Sequence, residues 1–406
     1  MGKGSNLETV KAVNTNAILD VIYEYGPISR IEIAKKLSLT PSAITLNVAP
    51  MLASGLLKEQ SVSKNDEDLG VGRPRVLLDF RANSAYVIGI DLGPYGTFSC
   101  LSNIRGKIIE KIEGPMCPYD YQDALEFIYG IVEQLLGLSN INKSKIAAVC
   151  LGIPGFVDST SGFLRYGSTL KWRNKNLGND ASQKIGIPCI IENNARCRAL
   201  SVEMFGKEHL PDTYAYLYVA RGIGCSIKVV NKAYRGVKDG AGEIGHMVMD
   251  HNGPVCPTCG NHGCLEAFSS EVTIKNNAKM IIKSARYTKL KEICKDLESP
   301  TIEEVLFAED AEDPEVCNIM DTAVKTLGIA IANVINLLNP PLVMVEGYIF
   351  NSQYNKDLLY KTVKRNLFAI DVNEVKIQFV EFEKYRTAYG GAAKAIKKYI
   401  LKEVDL

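Results

Sequence analysis

Apolar positions recur at helical spacing near the start of the chain and at strand spacing beyond it. In residues 14–25, Ile18, Leu19, Ile22 and Tyr23 share one helical face, and Gly26-Pro27 ends the run. Ser29 stands three residues before Glu32, the spacing of a capping box, and opens a short second helix over 30–37. Thr40 and Pro41 supply an N-cap and a proline-compatible first turn for a third helix, which Pro50 should kink or end. Two short strands, 56–62 and 75–79, follow around a polar loop. Helix, short helix, tight turn, helix and hairpin make a winged helix-turn-helix.

From Ala85 the pattern changes to strands alternating with helices, the texture of an α/β protein. Strands are expected at 86–92, 97–103, 107–113, 146–152, 189–192, 214–220, 225–230 and 342–345, and helices at 121–136, 195–205, 315–338 and 390–401. Two β-rich lobes joined by helices predict a cleft between them, where small ligands bind.

Length and composition narrow the class. A chain of 406 residues with 46% hydrophobic positions calls for two or three domains. No apolar run approaches the ~18 residues of a membrane helix, and the first residues lack the apolar segment of a secretory signal. The 11 cysteines follow no regular disulfide framework, which fits a reducing compartment. A cytoplasmic protein with no membrane partner is expected. Its formal net charge of +1 neither demands nor excludes nucleic acid, so that question rests on local residues.

On the third helix, Ser42, Thr45 and Asn47 can reach base edges or phosphates, although residues 41–54 contain no Lys or Arg. Positive charge comes from Arg30, Lys35, Lys36, Lys58 and the wing's Lys64, Arg73 and Arg75. Gly72-Arg73-Pro74 is narrow enough to place its arginine in a minor groove. Asp66-Glu67-Asp68 would be repelled by phosphate and should bend away. The competing reading is a plain three-helix bundle with a hairpin, used for protein contacts.

Farther along, Gly242-Glu243-Ile244-Gly245-His246 precedes Cys256-Pro257-Thr258-Cys259-Gly260-Asn261-His262-Gly263-Cys264-Leu265-Glu266. Three cysteines and a histidine form a closed set for structural zinc, and the glycines let the backbone turn tightly around it. A chance cluster of buried thiols is the alternative. Cys150, Cys189, Cys197 and Cys225 read as ordinary core thiols, and only this group has ligand-like spacing. The glutamates are not needed by a metal; beside a rigid metal knot they point to a polar ligand such as a sugar.

Together the winged helix with its Gly-Arg-Pro, Ile88-Gly89-Ile90-Asp91-Leu92-Gly93, Leu151-Gly152-Ile153-Pro154-Gly155 with Val157-Asp158, Trp172, Glu192-Asn193-Asn194-Ala195 and the His/Cys box resemble the ROK family over essentially the whole chain. That family contains sugar kinases and sugar-responsive repressors; the repressor branch, including the xylose-repressor type, carries the winged helix. The resemblance implies an N-terminal winged helix-turn-helix (residues 1–82) followed by a two-lobed actin/hexokinase-like body. The first lobe would span 83–195, completed by 385–406, and the second 196–384. It implies one zinc per chain on His246, Cys256, Cys259 and Cys264, and sugar contacts from Asn193, Asn194, Glu243, His246 and Glu266. His246 would turn one ring nitrogen to the metal and the other to the sugar. The family usually has a single residue between the first two cysteines; here Pro257 and Thr258 intervene, so a local bulge is expected, with His262 as a reserve ligand.

Phosphoryl transfer needs a base and a backbone cradle for phosphate. In the family's kinases an aspartate base stands where this chain has Asn194, whose amide cannot take a proton. Their phosphate turn reads Asp-x-Gly-Gly-Thr; here Pro94 and Tyr95 follow Gly93, and proline has no N–H to donate. Gly96-Thr97 could restore a shifted turn but not the base. Glu346-Gly347-Tyr348 replaces a glycine run. The expectation is a repressor and not an enzyme, binding operator DNA as a homodimer and a monosaccharide as effector. DNA contacts fall to Lys35, Ser42, Thr45, Asn47 and Arg73. An ATP-dependent sugar kinase and a sugar-binding adaptor without DNA contact are the alternatives.

Overall fold

The computed structural model describes residues 7–61, 76–284 and 287–403, which divide into two compact units, 1–205 with 385–406 and 206–384. The break falls after Phe205 and not after Ala195. The helix Asn194–Phe205 stays with the first unit because it packs against the C-terminal helix Arg386–Ala395. A Cβ on Gly390 would lie 1.7 Å from the Cys197 carbonyl, so those two backbones meet only at glycine.

The winged helix forms as the sequence pattern predicts: α1 (Leu7–Tyr25), α2 (Arg30–Leu37) and α3 (Pro41–Ala53), then strands Leu57–Ser61 and Val76–Phe80 paired antiparallel. Ser29 and Glu32 close a reciprocal capping box, and the Thr40 hydroxyl accepts the Ala43 N–H at 3.2 Å. Contrary to expectation, α3 runs through Pro50 to Ala53. The carbonyl deprived of a donor is that of Leu46, on the exposed face, where solvent can serve it. The Gly72-Arg73-Pro74 tripeptide, Lys64, Asp66-Glu67-Asp68 and Arg75 lie outside the described residues.

The core of the winged helix is continuous with that of the first lobe. Ile18, Leu19, Ile22, Ile44 and Leu78 share one buried cluster with Val87, Cys100, Ile104 and Ile396. Arg105, in the turn between two lobe strands, clamps the junction. It donates to the Tyr23 carbonyl at 2.6 Å, pairs with Asp79, and lies 5.2 Å from the Tyr23 and Phe80 rings. The Asn16 amide donates to the Leu401 carbonyl at 2.9 Å.

Each unit contains a five-stranded sheet of the same topology. In the first, Tyr86–Gly93, Gly96–Asn103 and Ile108–Gly114 form an antiparallel meander, and Ile146–Ile153 then Cys189–Asn193 extend it in parallel. In the second, Tyr214–Val219, Ile223–Val229 and Lys232–Ala233 form the meander, and Leu342–Gly347 then Lys376–Val380 extend it. The fold is α/β with a winged helix-turn-helix and a two-lobed actin/hexokinase-like body.

The helix Pro314–Leu338, expected over 315–338, has the length and mean hydropathy (1.2) of a membrane span. Half of it is buried inside its own unit, where Val316, Met320, Val324, Leu327, Ile331 and Ile335 join the core. It is the second unit's central helix.

Candidate metal centre and ligand site

The metal box is a knot of backbone hydrogen bonds between segments that carry no long helix or strand. Met249 N–H donates to the Gly263 carbonyl at 2.7 Å, Gly263 N–H to Pro254 at 2.8 Å, and Cys256 N–H to Asn261 at 2.7 Å. Gly263 has φ +70 and a Cβ there would lie 1.5 Å from the Asp250 carbonyl; Gly242 has φ +95 with the Cys225 carbonyl 1.9 Å from its Cβ position. Only glycine fits either place.

This knot brings His246, Cys256, Cys259 and Cys264 together, with one ligand atom from each lying within 4.8 Å of the others. His246 Nδ1 is 3.8 Å from Cys256 Sγ, and Cys259 Sγ is 3.6 Å from Cys264 Sγ. A tetrahedron with metal–sulfur arms of about 2.3 Å has edges of about 3.8 Å, so the donor set fits a tetrahedral metal. Burial raises the Cys256 thiol and pushes Cys264 up to about 12. At Cys259 burial also opposes ionisation, but the Asn261 backbone amide and the neighbouring thiols outweigh it and hold this thiol below its ordinary value. A bound dication would favour all three thiolates. His262 is not a reserve ligand: its Nδ1 lies 3.0 Å from the Gly253 carbonyl, and it is outside the cluster.

The additional residue between Cys256 and Cys259 has a consequence that spacing did not reveal. Thr258 donates its hydroxyl to Glu266 Oε2 at 2.6 Å, while the Ile223 N–H donates to Oε1 at 2.8 Å. Glu266 is thus buried and oriented from both oxygens, against Gly222 and Gly245, which leave it room. Glu243 and His246 stand beside it on the loop Gly242–His246, both half-buried. With Nδ1 facing Cys256, the Nε2 of His246 is left for another partner.

In the first unit, Asn193 and Asn194 end the strand Cys189–Asn193 and begin the following helix. Their roles differ. Asn193 Oδ1 accepts the N–H groups of Ala195 (2.9 Å) and Arg196 (3.3 Å), capping that helix, and its amide donates to the Gly155 carbonyl at 3.0 Å. Asn194 is half-buried, and its side chain makes no hydrogen bond among the described residues, so it is the member of the pair open to a ligand.

Gly93 and Gly96 pair across a hairpin whose tip is Pro94-Tyr95, with Tyr95 exposed. Thr97 is buried in its strand, so no shifted phosphate turn forms there. Asp91 is buried, and burial pushes its carboxyl up to about 7, against the pull of Arg198 and a hydrogen bond from Thr387. Arg198 is itself buried and donates to Thr387 Oγ1 at 3.2 Å. A buried guanidinium near Asp91 was not foreseen; its sequence trace is the pair Arg196 and Arg198 among the small residues Ala195, Cys197 and Ala199.

On α3, Ser42 and Thr45 are exposed, with the Thr45 hydroxyl donating to the Pro41 carbonyl at 3.0 Å. Asn47 is committed internally: it donates to the Ala43 carbonyl at 2.8 Å and accepts from Thr15 at 3.0 Å. Lys35 is exposed on α2, and Arg73 falls outside the described residues.

The ROK family profile matches residues 87–398. The chain belongs to the ROK family. It is 28% identical to the xylose repressor of Caldicellulosiruptor bescii, over 96% of this chain and 97% of that protein. It is 26% identical to the transcriptional dual regulator NagC of Escherichia coli K12, over 85% and 82%. Among solved structures, a ROK family transcriptional regulator homologous to the E. coli MLC protein superposes with a TM-score of 0.83 at 24% identity, covering 97% of this chain and 98% of that one. A ROK glucokinase from Streptomyces griseus, in complex with glucose and AMPPNP, matches with a TM-score of 0.65 at 20% identity, covering 76% of this ROK chain and 98% of the kinase.

Proposed function

We propose that this ROK protein is a sugar-responsive transcriptional repressor. One observation carries the reading: a helix-turn-helix with its paired flanking strands, packed on a ROK body, lies in a chain that aligns nearly end to end with a xylose repressor. Operator DNA is contacted by the exposed Ser42 and Thr45 of α3, with Lys35 and Arg73 supplying phosphate contacts. Asn47 keeps its place as a tie between α3 and α1 and serves the surface indirectly.

Zinc is the metal that suits three thiolates and an imidazole, and it acts as a structural ion. His246, Cys256, Cys259 and Cys264 hold it, and it fixes the loop that carries Glu243, His246 and the start of the Glu266 helix. In that unit Glu243, His246 Nε2 and Glu266 are the groups that meet sugar hydroxyls. In the first unit Asn194 has the corresponding role, held in position by the Asn193 cap. Without a carboxylate at Asn194, no residue there takes the proton that phosphorylation would release, so sugar binding ends in regulation and not in chemistry.

The test is a gel shift and footprint on the DNA upstream of the protein's own gene, with and without a panel of monosaccharides. A dyad-symmetric footprint that a sugar weakens or strengthens supports the proposal, since such regulators pair two winged helices on two half-sites. Absence of any specific footprint overturns it in favour of the adaptor reading.

A further inference from the structure

We propose a second small-molecule site, for a phosphate monoester, at the junction where the winged helix passes into the body. A shallow, solvent-open depression of about 580 Å³ lies there. Its wall is built from the C-terminal end of α3 (Ser54, Gly55), from Lys58 on the first hairpin strand, and from the connecting residues Arg81, Asn83 and Ser84. That depression is wider than a bare inorganic phosphate and would leave a bound ester partly in solvent.

The chemistry of the wall is one-sided. Among the described residues, Lys58 and Arg81 are the only charged ones in it, and neither side chain makes an ion pair or hydrogen bond with another described residue. The nearby acids are already occupied. Asp79, directly across from Lys58 in the hairpin, is paired with Arg105, and Glu59 is paired with Arg30 at 2.6 Å. Ser84 contributes a hydroxyl oxygen that is buried and has no hydrogen-bond partner. An arginine fork, a lysine point charge and a hydroxyl are complementary to a doubly charged phosphate and its ester oxygen.

The negative end of the α3 dipole points the other way and must be weighed. It amounts to about half a charge, against two full cations. The carbonyls of Pro50, Met51 and Leu52 at that end are already taken by the N–H groups of Ser54, Leu56 and Gly55. The cations prevail. A DNA phosphate is the poorer fit, because the pocket lies at the C-terminal end of α3, away from Ser42 and Thr45, and at the hairpin end opposite Ser61 and Val76. A molecule bridging Lys58 on the hairpin and Arg81 on the connection would stiffen the junction that Arg105 clamps. Operator affinity would then depend on it, a consequence that rests on the repressor reading, whereas the binding itself does not.

The experiment is calorimetric titration of the full chain with ribose 5-phosphate, inorganic phosphate and, as the uncharged control, ribose. Wild type, Lys58→Ala with Arg81→Ala, and Ser84→Ala are compared, with each variant's melting curve as the check on folding. Ribose 5-phosphate should bind saturably and better than inorganic phosphate, and the double variant should weaken it at least tenfold while ribose binding is unchanged. The titrations are run without DNA, which keeps this result separate from the repressor reading. Undiminished ribose 5-phosphate binding in the double variant overturns the site. So does loss of operator binding in a double variant whose wild type ignores the ester, because the two cations would then be DNA contacts.

Discussion

Glu309 and Asn355 set a pH dependence that a single substitution can expose. Both are buried, and the Asn355 amide donates to one Glu309 oxygen at 2.9 Å, while Glu309 Oε1 and Asn355 Oδ1 have no partner. Burial, reinforced by Asp310 and Asp321, pushes the Glu309 carboxyl from its ordinary 4.5 up to about 7. The folded state therefore holds a proton that the unfolded chain has released, and this group's stabilisation is full below about pH 4.5 and lost as pH rises through 7. Glu309→Gln carries an N–H where the protonated acid carries an O–H. The variant should melt several degrees higher than wild type at pH 8, with the gap closing toward pH 5; a gap independent of pH contradicts the assignment. At the metal box, plasma emission should find one equivalent of zinc in wild type and none in Cys259→Ser or Cys264→Ser. Wild-type protein purified without chelator and free of zinc would refute the site.

The ligand cysteines were legible because metal geometry demands short spacings that survive in one dimension. The Thr258–Glu266 bond was not, since spacing shows an additional residue but not where its hydroxyl goes. The Asn193–Asn194 pair shows the same limit. Sequence marks two amides at a strand end, and only the backbone decides which one caps the helix.

At the level of elements, periodicity and capping chemistry located the winged helix and most sheet strands, because both signals are local. The helices over 177–185, 271–284 and 353–366 went unnoticed, their cores being set by partners far along the chain. Pro50 misled for a related reason: a missing donor on an exposed helix face is cheap. The docking of the winged helix was also invisible, resting on Arg105, whose partners Tyr23 and Asp79 lie 82 and 26 residues earlier. Arg105→Ala leaves Asp79 unpaired and two aromatic rings without their cation. Residues 81–85 should then exchange amide hydrogens and be cleaved by protease several-fold faster, with the second unit unchanged. Unaltered protection of this connection would show that the shared apolar core alone holds the domain.

The repeated sheet topology is shared with ROK kinases; under the repressor reading, Asn194, Pro94 and Tyr95 leave it without a kinase's base and phosphate turn. With ATP, magnesium and a sugar panel, no sugar phosphate should accumulate above background; robust turnover by wild type would return the kinase reading. The central claim joins a sugar to an operator through one chain. Such coupling is typically about 1–3 kcal/mol, or roughly five- to 150-fold in affinity. The most direct test titrates operator DNA in gel shifts against the effective sugar for wild type and Glu243→Ala. The account predicts equal operator affinity without sugar, a sugar-dependent shift within that range for wild type, and none for Glu243→Ala. A variant that answers the sugar with wild-type sensitivity would contradict it.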